Sequence, residues 1–569
     1  MKLEMIFKTI NETYVKYFLI FLLFYFLGRS FYLTLTYFFN KNIEEEKVFG
    51  ITPTILFPIY GYFILGNFLV IINFITPTTS FFSYLVILVF LSINFFRIDF
   101  KFLNKITFDN FIFYVFVPVV ILSSAFDINY HYDAALYHLN HQNWLRESNL
   151  VIGMVNIFWP FGISSLNEYV ASIFWGEFSL INLHYIGLII IHSFYNFLYF
   201  NIRTKSNNFL KYSSIFIILF SLLDNFGLNG GRNGFIYIQE IGKQDTQVAI
   251  LVIISTLMLI YSFTKFSISK LELSTLSLFI LFSFQLKISS AYLVFWFLIF
   301  FVFSIYTKST SINKFLSALV PTLLFGAIWV VKNYLINGCF IFPINSTCLN
   351  SFFWYREGST KNIEIYTSKT SIGFNSYFTD SNLNIINWFN DFFINNEFYG
   401  SFYRGFYINF LISFIILYLI KKFLFKQKHY DLKIQVIIFF FVSSSLLYLL
   451  FFGPIPRYST GILSATIGLL GSNITACKFK LDKRILILIF VSSLILLPRI
   501  NSYKTMLNNF AITLPDPRFE WNYDEIDLGD GWIAPKNTDI CWINLYCTSE
   551  VGDPIKTQNG FFKTMYREK

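Results

Sequence analysis

ISSAYLVFWFLIFFVFSIY, residues Ile288 to Tyr306, runs for 19 residues without a charged side chain. A helix needs about 20 mainly apolar residues to cross a hydrocarbon core of roughly 30 Å, and this run nearly reaches that length alone. Comparable runs are Tyr17 to Phe39, Ile51 to Ile75, Leu180 to Phe200, Phe406 to Ile420 and Ile485 to Leu497. Across the 569 residues 55% are hydrophobic and only 13% charged, whereas a soluble domain carries about 25% charged residues. Lipid offers backbone groups no water, so only helices or closed barrels span it. A barrel would show short alternating strands, and these runs are long and continuous. The expected fold class is therefore all-α, a polytopic transmembrane helical bundle of about 11 to 14 spans.

The 76 Phe and 36 Tyr need no special function, because Phe fills space in lipid and Tyr and Trp favour the interfaces. Nor does the net charge of +10 argue for nucleic acid. The basic residues cluster in short segments, as the positive-inside bias of inner-membrane proteins requires: Arg97 to Lys105, Arg203 to Lys211, Lys265 to Lys270, Lys308 to Lys314, Lys421 to Lys433 and Lys478 to Arg484. The segments between them are then expected outside the cytoplasm. The first apolar run is too long for a cleavable signal peptide and lacks a small-residue cleavage site. The expected organisation is a membrane domain over residues 1–500, with outward loops at 125–160 and 337–404, and an extracytoplasmic cap at 501–569. Cys339 and Cys348 share one outward loop, and Cys541 and Cys547 share the tail. Cys477 falls at a cytoplasmic helix end. Pairs outside and a single thiol inside suit an oxidising exterior, so two short-loop disulfides are expected.

The densest polar segment is FDINYHYDAALYHLNHQNWLRESN, Phe126 to Asn149, directly after a span. It holds Asp127, Asp133 and three of the six histidines, His131, His138 and His141. On a regular helix starting near Asp133, Tyr137, Asn140 or His141, and Trp144 follow on one face. An acid, a phenol, an imidazole and an indole would then line one strip at the membrane surface, where ionisable groups are costly and tend to serve a site. Three readings stay open. Asp133 is a catalytic base or metal-supporting carboxylate; the histidines, with His138 and His141 at i, i+3, ligate a metal; or the segment is a wet amphipathic loop. No HExxH or Cys-rich pattern accompanies the histidines.

YDAALYHLNHQNWL, Tyr132 to Leu145, resembles the first outward-loop motif of the GT-C superfamily of membrane glycosyltransferases. There an acid just after a span, in the form D-x-x-x-Y, activates the acceptor. Asp133 and Tyr137 match. Ala134 stands where the family often carries a second acid, with Asp127 as a substitute. The likeness is greatest to a bacterial branch associated with surface polysaccharides. It extends to NLVIGMVNIFWPFGISSLNE (149–168), WVVKNYLINGCFIFP (329–343) and CWINLYC (541–547). The resemblance implies a GT-C-like bundle in the bacterial inner (plasma) membrane, with its active face extracytoplasmic. It implies transfer of a sugar from a polyprenyl-phosphate-linked donor to a glycan or lipid acceptor. The catalytic residues would be Asp133 with Asp127. Tyr137, His138, His141, Asp245, Lys287 and Arg457 would bind substrate. No cofactor motif is present, and the acids leave room for a divalent metal.

Lys287 interrupts SLFILFSFQLKISSAYLVF, and Arg457 sits in GPIPRYSTG. A planar guanidinium and a point charge suit a lipid phosphate, although interfacial cations also snorkel. Lys332 and Asn333, beside Trp329, suit interfacial anchoring. Asp245 in GKQDTQVAIL is placed either to N-cap a helix or to serve as a second acid facing the same site. The rival functions are a lipid-linked saccharide flippase or transporter, and a polysaccharide polymerase or ligase. A transporter would show internal repeats and broken helices, and no repeat is visible. A polymerase or ligase would want arginine-rich outer loops, and the outward segment Asn337 to Arg404 has just Arg356 and Arg404.

Overall fold

The computed structural model describes residues 2–39, 47–94, 108–176, 179–203, 207–225, 238, 240–349, 351–355, 359–373, 390, 394, 400–427, 432–452, 455–478, 482–509, 512, 514, 524–550 and 553–567. The expected basic segment Arg97 to Lys105, and most of the second half of loop 337–404, lie outside them.

The protein is mostly helical and built as expected for a polytopic bundle. In chain order the helices are α1 (Lys2–Phe38), α2 (Phe57–Asn73), α3 (Phe81–Ser92) and α4 (Phe108–Asp127, which mixes α, π and 3-10 turns). Then come α5 (Leu139–Glu147), α6 (Leu166–Ser172), α7 (Asn182–Arg203), α8 (Asn208–Asn225), α9 (Asp245–Phe263) and α10 (Lys270–Leu286). The second half has α11 (Ala291–Tyr306), α12 (Ile312–Asn337), α13 (Ser359–Gly373), α14 (Gly400–Leu424), α15 (Leu432–Phe452), α16 (Pro456–Leu470), α17 (Lys483–Leu496) and α18 (Ile500–Asn509).

Among the described residues eight helices are long and apolar enough to cross a membrane, or nine if the pair bent by 65° between α17 and α18 is one span. That is fewer than the 11 to 14 expected. Several apolar runs fold into shorter helices: α2 and α10 have 17 residues, α16 has 15 and α3 has 12. At 1.5 Å per residue a 15-residue helix covers only about 22 Å. Apolar composition reports burial in the bundle as well as contact with lipid. The central helices α7 and α9 are almost wholly enclosed, while α12, α14 and α15 expose most of their surface.

Two close approaches position the polar residues. Strand β1 (Asn129–Tyr130) pairs in parallel with β2 (Glu240–Ile241), and the His131 N–H donates to the Ile241 carbonyl at 3.0 Å. The approach requires Gly242, whose φ is +90° and where an added Cβ would fall 2.2 Å from Ala134 Cβ. Chain segments a hundred residues apart, ending in Asp133 and starting at Asp245, are thereby clamped together. On the other side Gly461 lets α16 lie against α9, since a Cβ there would meet Ala249 Cα at 2.9 Å. Small residues at helix crossings are how membrane bundles pack closely, and this one brings Arg457 beside the start of α9.

The C-terminal tail is pinned to the loop after α4. Strands β5 (Glu525–Gly529) with β6 (Trp532–Pro535), and β7 (Ile555–Gln558) with β8 (Thr564–Arg567), form two hairpins. Trp532, Ile555 and Met565 share one apolar cluster with Trp144, Leu150 and Phe161. Arg567 donates to the Asn156 carbonyl at 2.9 Å, and Thr548 to that of Ile157 at 2.5 Å. Disulfides join Cys339 to Cys348 and Cys541 to Cys547, and Cys477 is free. Strands β3 (Phe425–Gln427) and β4 (Ile474–Cys477) pair antiparallel at the other end of the bundle, with Lys422 and Lys478 beside them.

Candidate functional site

A cavity of about 2470 Å³ opens between the tail and the bundle. Ordinary small-ligand pockets hold roughly 300–1,000 Å³, so this one suits a much larger ligand. Its wall is divided. Asp133, Tyr137, Asp245, Lys287, Arg457 and Tyr458 line one part, and apolar residues of α7 and α17, including Ile186, Ile191, Ile495 and Leu496, line another. Asp539 and Glu550 from the tail also face it.

Asp133 sits just before a π-turn, Ala134–His138. Its Oδ2 lies 3.3 Å from Arg457 Nη1 and 3.4 Å from His131 Nδ1. Burial opposes the ionised carboxylate, but His131 and Arg457 outweigh it and hold Asp133 well below the usual carboxylate range. Tyr137 is pushed the other way, chiefly by burial and then by the Asp133 charge, so its phenol stays protonated.

Asp245 is the first residue of α9, and the preceding Gln244 occupies the cap position without a side-chain cap bond. The capping role open to Asp245 is not what the fold uses: its carboxylate pairs with Lys287 Nζ instead. Lys287 ends α10 in extended backbone, which turns its side chain back toward α9. Tyr458, which the sequence reading passed over, joins the two cations. Lys287 Nζ lies 4.1 Å from its ring centroid and Arg457 Cζ 5.0 Å, and Arg457 Nη2 donates to its hydroxyl at 3.0 Å.

The remaining expected site residues fall elsewhere. Asp127 ends α4 and is not on the cavity wall. His138 and His141 are buried behind it. The π-turn closes through i→i+5 bonds rather than i→i+4, so the face shared by Asp133 and Tyr137 does not continue to His141 and Trp144. His141 stacks on Phe161 at 5.4 Å, and burial pushes it down to about 3, leaving it neutral. Trp144 packs on Trp532 of the tail. His138 Nδ1 meets Glu168 Oε1 at 2.5 Å, and Gln142 Nε2 donates to Glu168 Oε2 at 2.8 Å. Burial opposes the Glu168 charge, but His138 overcomes it and keeps the carboxylate ionised. Lys332 is not an interfacial anchor. It is fully buried, with Nζ 3.1 Å from the Ser164 carbonyl and 3.5 Å from the Trp329 ring centroid. Among the described residues no three His, Cys, Asp or Glu side chains gather to hold a metal ion.

A family model described as Domain of unknown function (DUF8201) matches residues 13–464. The chain belongs to the DUF8201 family. The matched span contains Asp133, Asp245, Lys287, Arg457 and Tyr458, and it stops before the tail that contributes Asp539 and Glu550. No curated protein and no solved structure matches the chain.

Proposed function

We propose that this DUF8201 protein is a GT-C-type membrane glycosyltransferase. It moves a sugar from a polyprenyl-phosphate-linked donor to a glycan or lipid acceptor on the extracytoplasmic face of a bacterial plasma membrane. One observation carries the reading. An ionised carboxylate, Asp133, lies beside two cations, Lys287 and Arg457, on the polar wall of one large cavity that also has an apolar wall. A lipid-linked sugar phosphate has the matching parts, an anionic headgroup at the interface and a long apolar tail.

In this reading Asp133 accepts the proton of the acceptor hydroxyl as its oxygen attacks the anomeric carbon. The bond from that carbon to the phosphate oxygen breaks, and the lipid phosphate leaves. Lys287 and Arg457 offset the charge that develops on the departing phosphate, and such electrostatic stabilisation is usually the largest catalytic contribution. Incubating the purified protein with a panel of polyprenyl-phosphate sugars should give lipid-dependent transfer or hydrolysis. A panel without turnover, tested with glycan and lipid acceptors, removes the reading.

The orientation follows from charge. Lys265, Lys422 and Lys478 lie at the bundle end away from the cavity, and positive segments favour the cytoplasm. A cysteine replacing the exposed Asp530 at the β5–β6 turn, with Cys477 changed to Ser, should be labelled by an impermeant thiol reagent from outside. Labelling only after permeabilisation reverses the orientation.

A further inference from the structure

We infer that Lys287, Arg457 and Tyr458 form a two-point receptor for a diphosphate, so that the lipid carrier is held through two phosphoryl groups rather than one. The inference rests on the glycosyl-transfer reading and narrows its donor class to a saccharide on a prenyl diphosphate. The transfer balances as before. The new bond joins acceptor oxygen to anomeric carbon, the bond from that carbon to the near phosphoryl oxygen breaks, the proton goes to Asp133, and the prenyl diphosphate departs.

Charge matching is the first support. A single phosphodiester between sugar and prenyl chain carries one negative charge, and a diphosphate linkage carries two, one on each phosphoryl group. Of the cations on the cavity wall, Lys287 and Arg457 come from segments far apart in sequence and are both fixed against one tyrosine ring, at 4.1 and 5.0 Å from its centroid. Ring contacts of this kind hold a cation in place. The Tyr458 hydroxyl accepts from Arg457 at 3.0 Å and keeps its own proton to donate.

The resting partners are the second support. Each cation has its own carboxylate, Asp245 for Lys287 and Asp133 for Arg457. A lone anion site would need one such pair. Two pairs are two exchangeable positions, in which an incoming phosphoryl oxygen replaces a carboxylate oxygen. The recess enclosed by Asp245, Lys287, Arg457 and Tyr458 has a volume of only about 10 Å³, room for roughly one water. The anion therefore lies across the cations on the side of the large cavity, where both side chains face open space. Exchange at Arg457 also releases Asp133, so the base is freed when the donor is seated.

The test uses the full-length protein in detergent, with farnesyl diphosphate, farnesyl monophosphate, inorganic pyrophosphate and inorganic phosphate as calorimetric titrants. Farnesyl diphosphate should bind at least tenfold more tightly than the monophosphate. Lys287→Gln and Arg457→Gln should each cost about tenfold to a hundredfold in diphosphate affinity and flatten the preference. Tyr458→Phe keeps the ring and loses only the hydroxyl contacts, so its effect should be smaller. Asp245→Asn should tighten diphosphate binding, because it removes the counter-ion competing for Lys287; loosened binding, in a variant whose thermal melt is unchanged, overturns the exchange. Equal affinity for the two farnesyl esters, still dependent on both cations, overturns the diphosphate inference and leaves glycosyl transfer standing. Inorganic pyrophosphate binding as tightly as the farnesyl ester assigns the site to a free anion and overturns the prenyl carrier. Binding indifferent to both cations overturns this inference and the donor half of the function together.

Discussion

Residues 131–137 and residues 138–147 belong to one continuous polar segment, yet they meet opposite fates. The first part faces the cavity: Asp133 is half open, with its carboxylate 3.3 Å from an exposed arginine of a distant helix. The second part packs mostly inward, with Glu147 exposed at its end and Gln142 reaching the cavity lining. His138, Gln142 and Glu168 complete one another's hydrogen bonds, and Gln142 Oε1 also accepts from Trp175 at 2.8 Å. Arg146 stacks over that indole at 4.8 Å and donates to the Ser172 carbonyl at 2.5 Å. Buried polar networks that are nearly satisfied fix geometry, while a long, accessible ion pair is one a ligand can exchange. A histidine-rich stretch beside a cavity can thus divide its labour, with the acid turned to the cavity and the imidazole and carboxylate behind it holding the backbone that carries the acid.

The division can be broken by two substitutions expected to fail in different assays. Asp133→Asn keeps the size of the side chain and its ability to accept from Arg457, but it cannot take a proton. Sugar transfer should fall by about 10²–10⁴, the usual range for loss of a general base, with the thermal melt nearly unchanged. Glu168→Ala leaves the cavity wall intact but strands His138 and Gln142. Breaking a buried pair typically costs about 3–5 kcal/mol, so its melting temperature should drop strongly, while the surviving folded fraction keeps its affinity for donor. If Asp133→Asn instead unfolds the protein, or Glu168→Ala removes activity without lowering stability, the two halves have been assigned the wrong way round.

How far the sequence could be read follows the same physical line. The apolar helices announce themselves because hydrocarbon imposes length and composition at once, and Ile288–Tyr306 forms a helix long and apolar enough to cross a membrane. Among the described residues fewer helices than expected reach membrane-crossing length, because burial within the bundle demands apolar residues as strictly as lipid does, which composition cannot separate for helices such as α10 and α16. At the site, Asp133, Tyr137, Asp245, Lys287 and Arg457 were visible as isolated polar residues at the ends of apolar runs, and the fold brings all five to one cavity. His141 and Trp144 were drawn onto the same face as Asp133 by assuming a regular helical period, which the π-turn changes. Tyr458 carried no signal, since one tyrosine among 36 stands out only when two cations are seen against its ring. Glu168 had a weak one: an acid three residues after Ser165 fits a capping box, yet its carboxylate turns to His138. The tail's part in the site, through Asp539 and Glu550, depends on long-range docking that no local pattern encodes.

A smaller effect sharpens the comparison further, because it reads the charge on Asp133 directly. Its carboxyl is held well below the usual carboxylate value, with burial opposing and His131 and Arg457 together prevailing. A group whose folded value is depressed contributes stability that is present above its unfolded value, about 3.9 for aspartate, and lost as the pH falls through the lower folded value. The same sign governs catalysis, since a base must be ionised. Wild-type kcat/KM, which reports the groups of the free enzyme in which Arg457 still pairs with Asp133, should therefore show no acid limb in the ordinary carboxylate range. Arg457→Gln removes one of the charges holding the group down while leaving the burial that pushes it up. The acid limb should then move to higher pH, into or above the range where a free aspartate titrates. Arg457→Gln also weakens donor binding, which lowers the height of the kcat/KM profile but not the position of its limb, because that position reports the free enzyme. Glu168→Gln perturbs the sealed network and should leave the limb nearly in place. A limb that stays fixed in Arg457→Gln and moves in Glu168→Gln would show that the titrating base belongs to the buried half of the segment, and that Asp133 is not the proton acceptor.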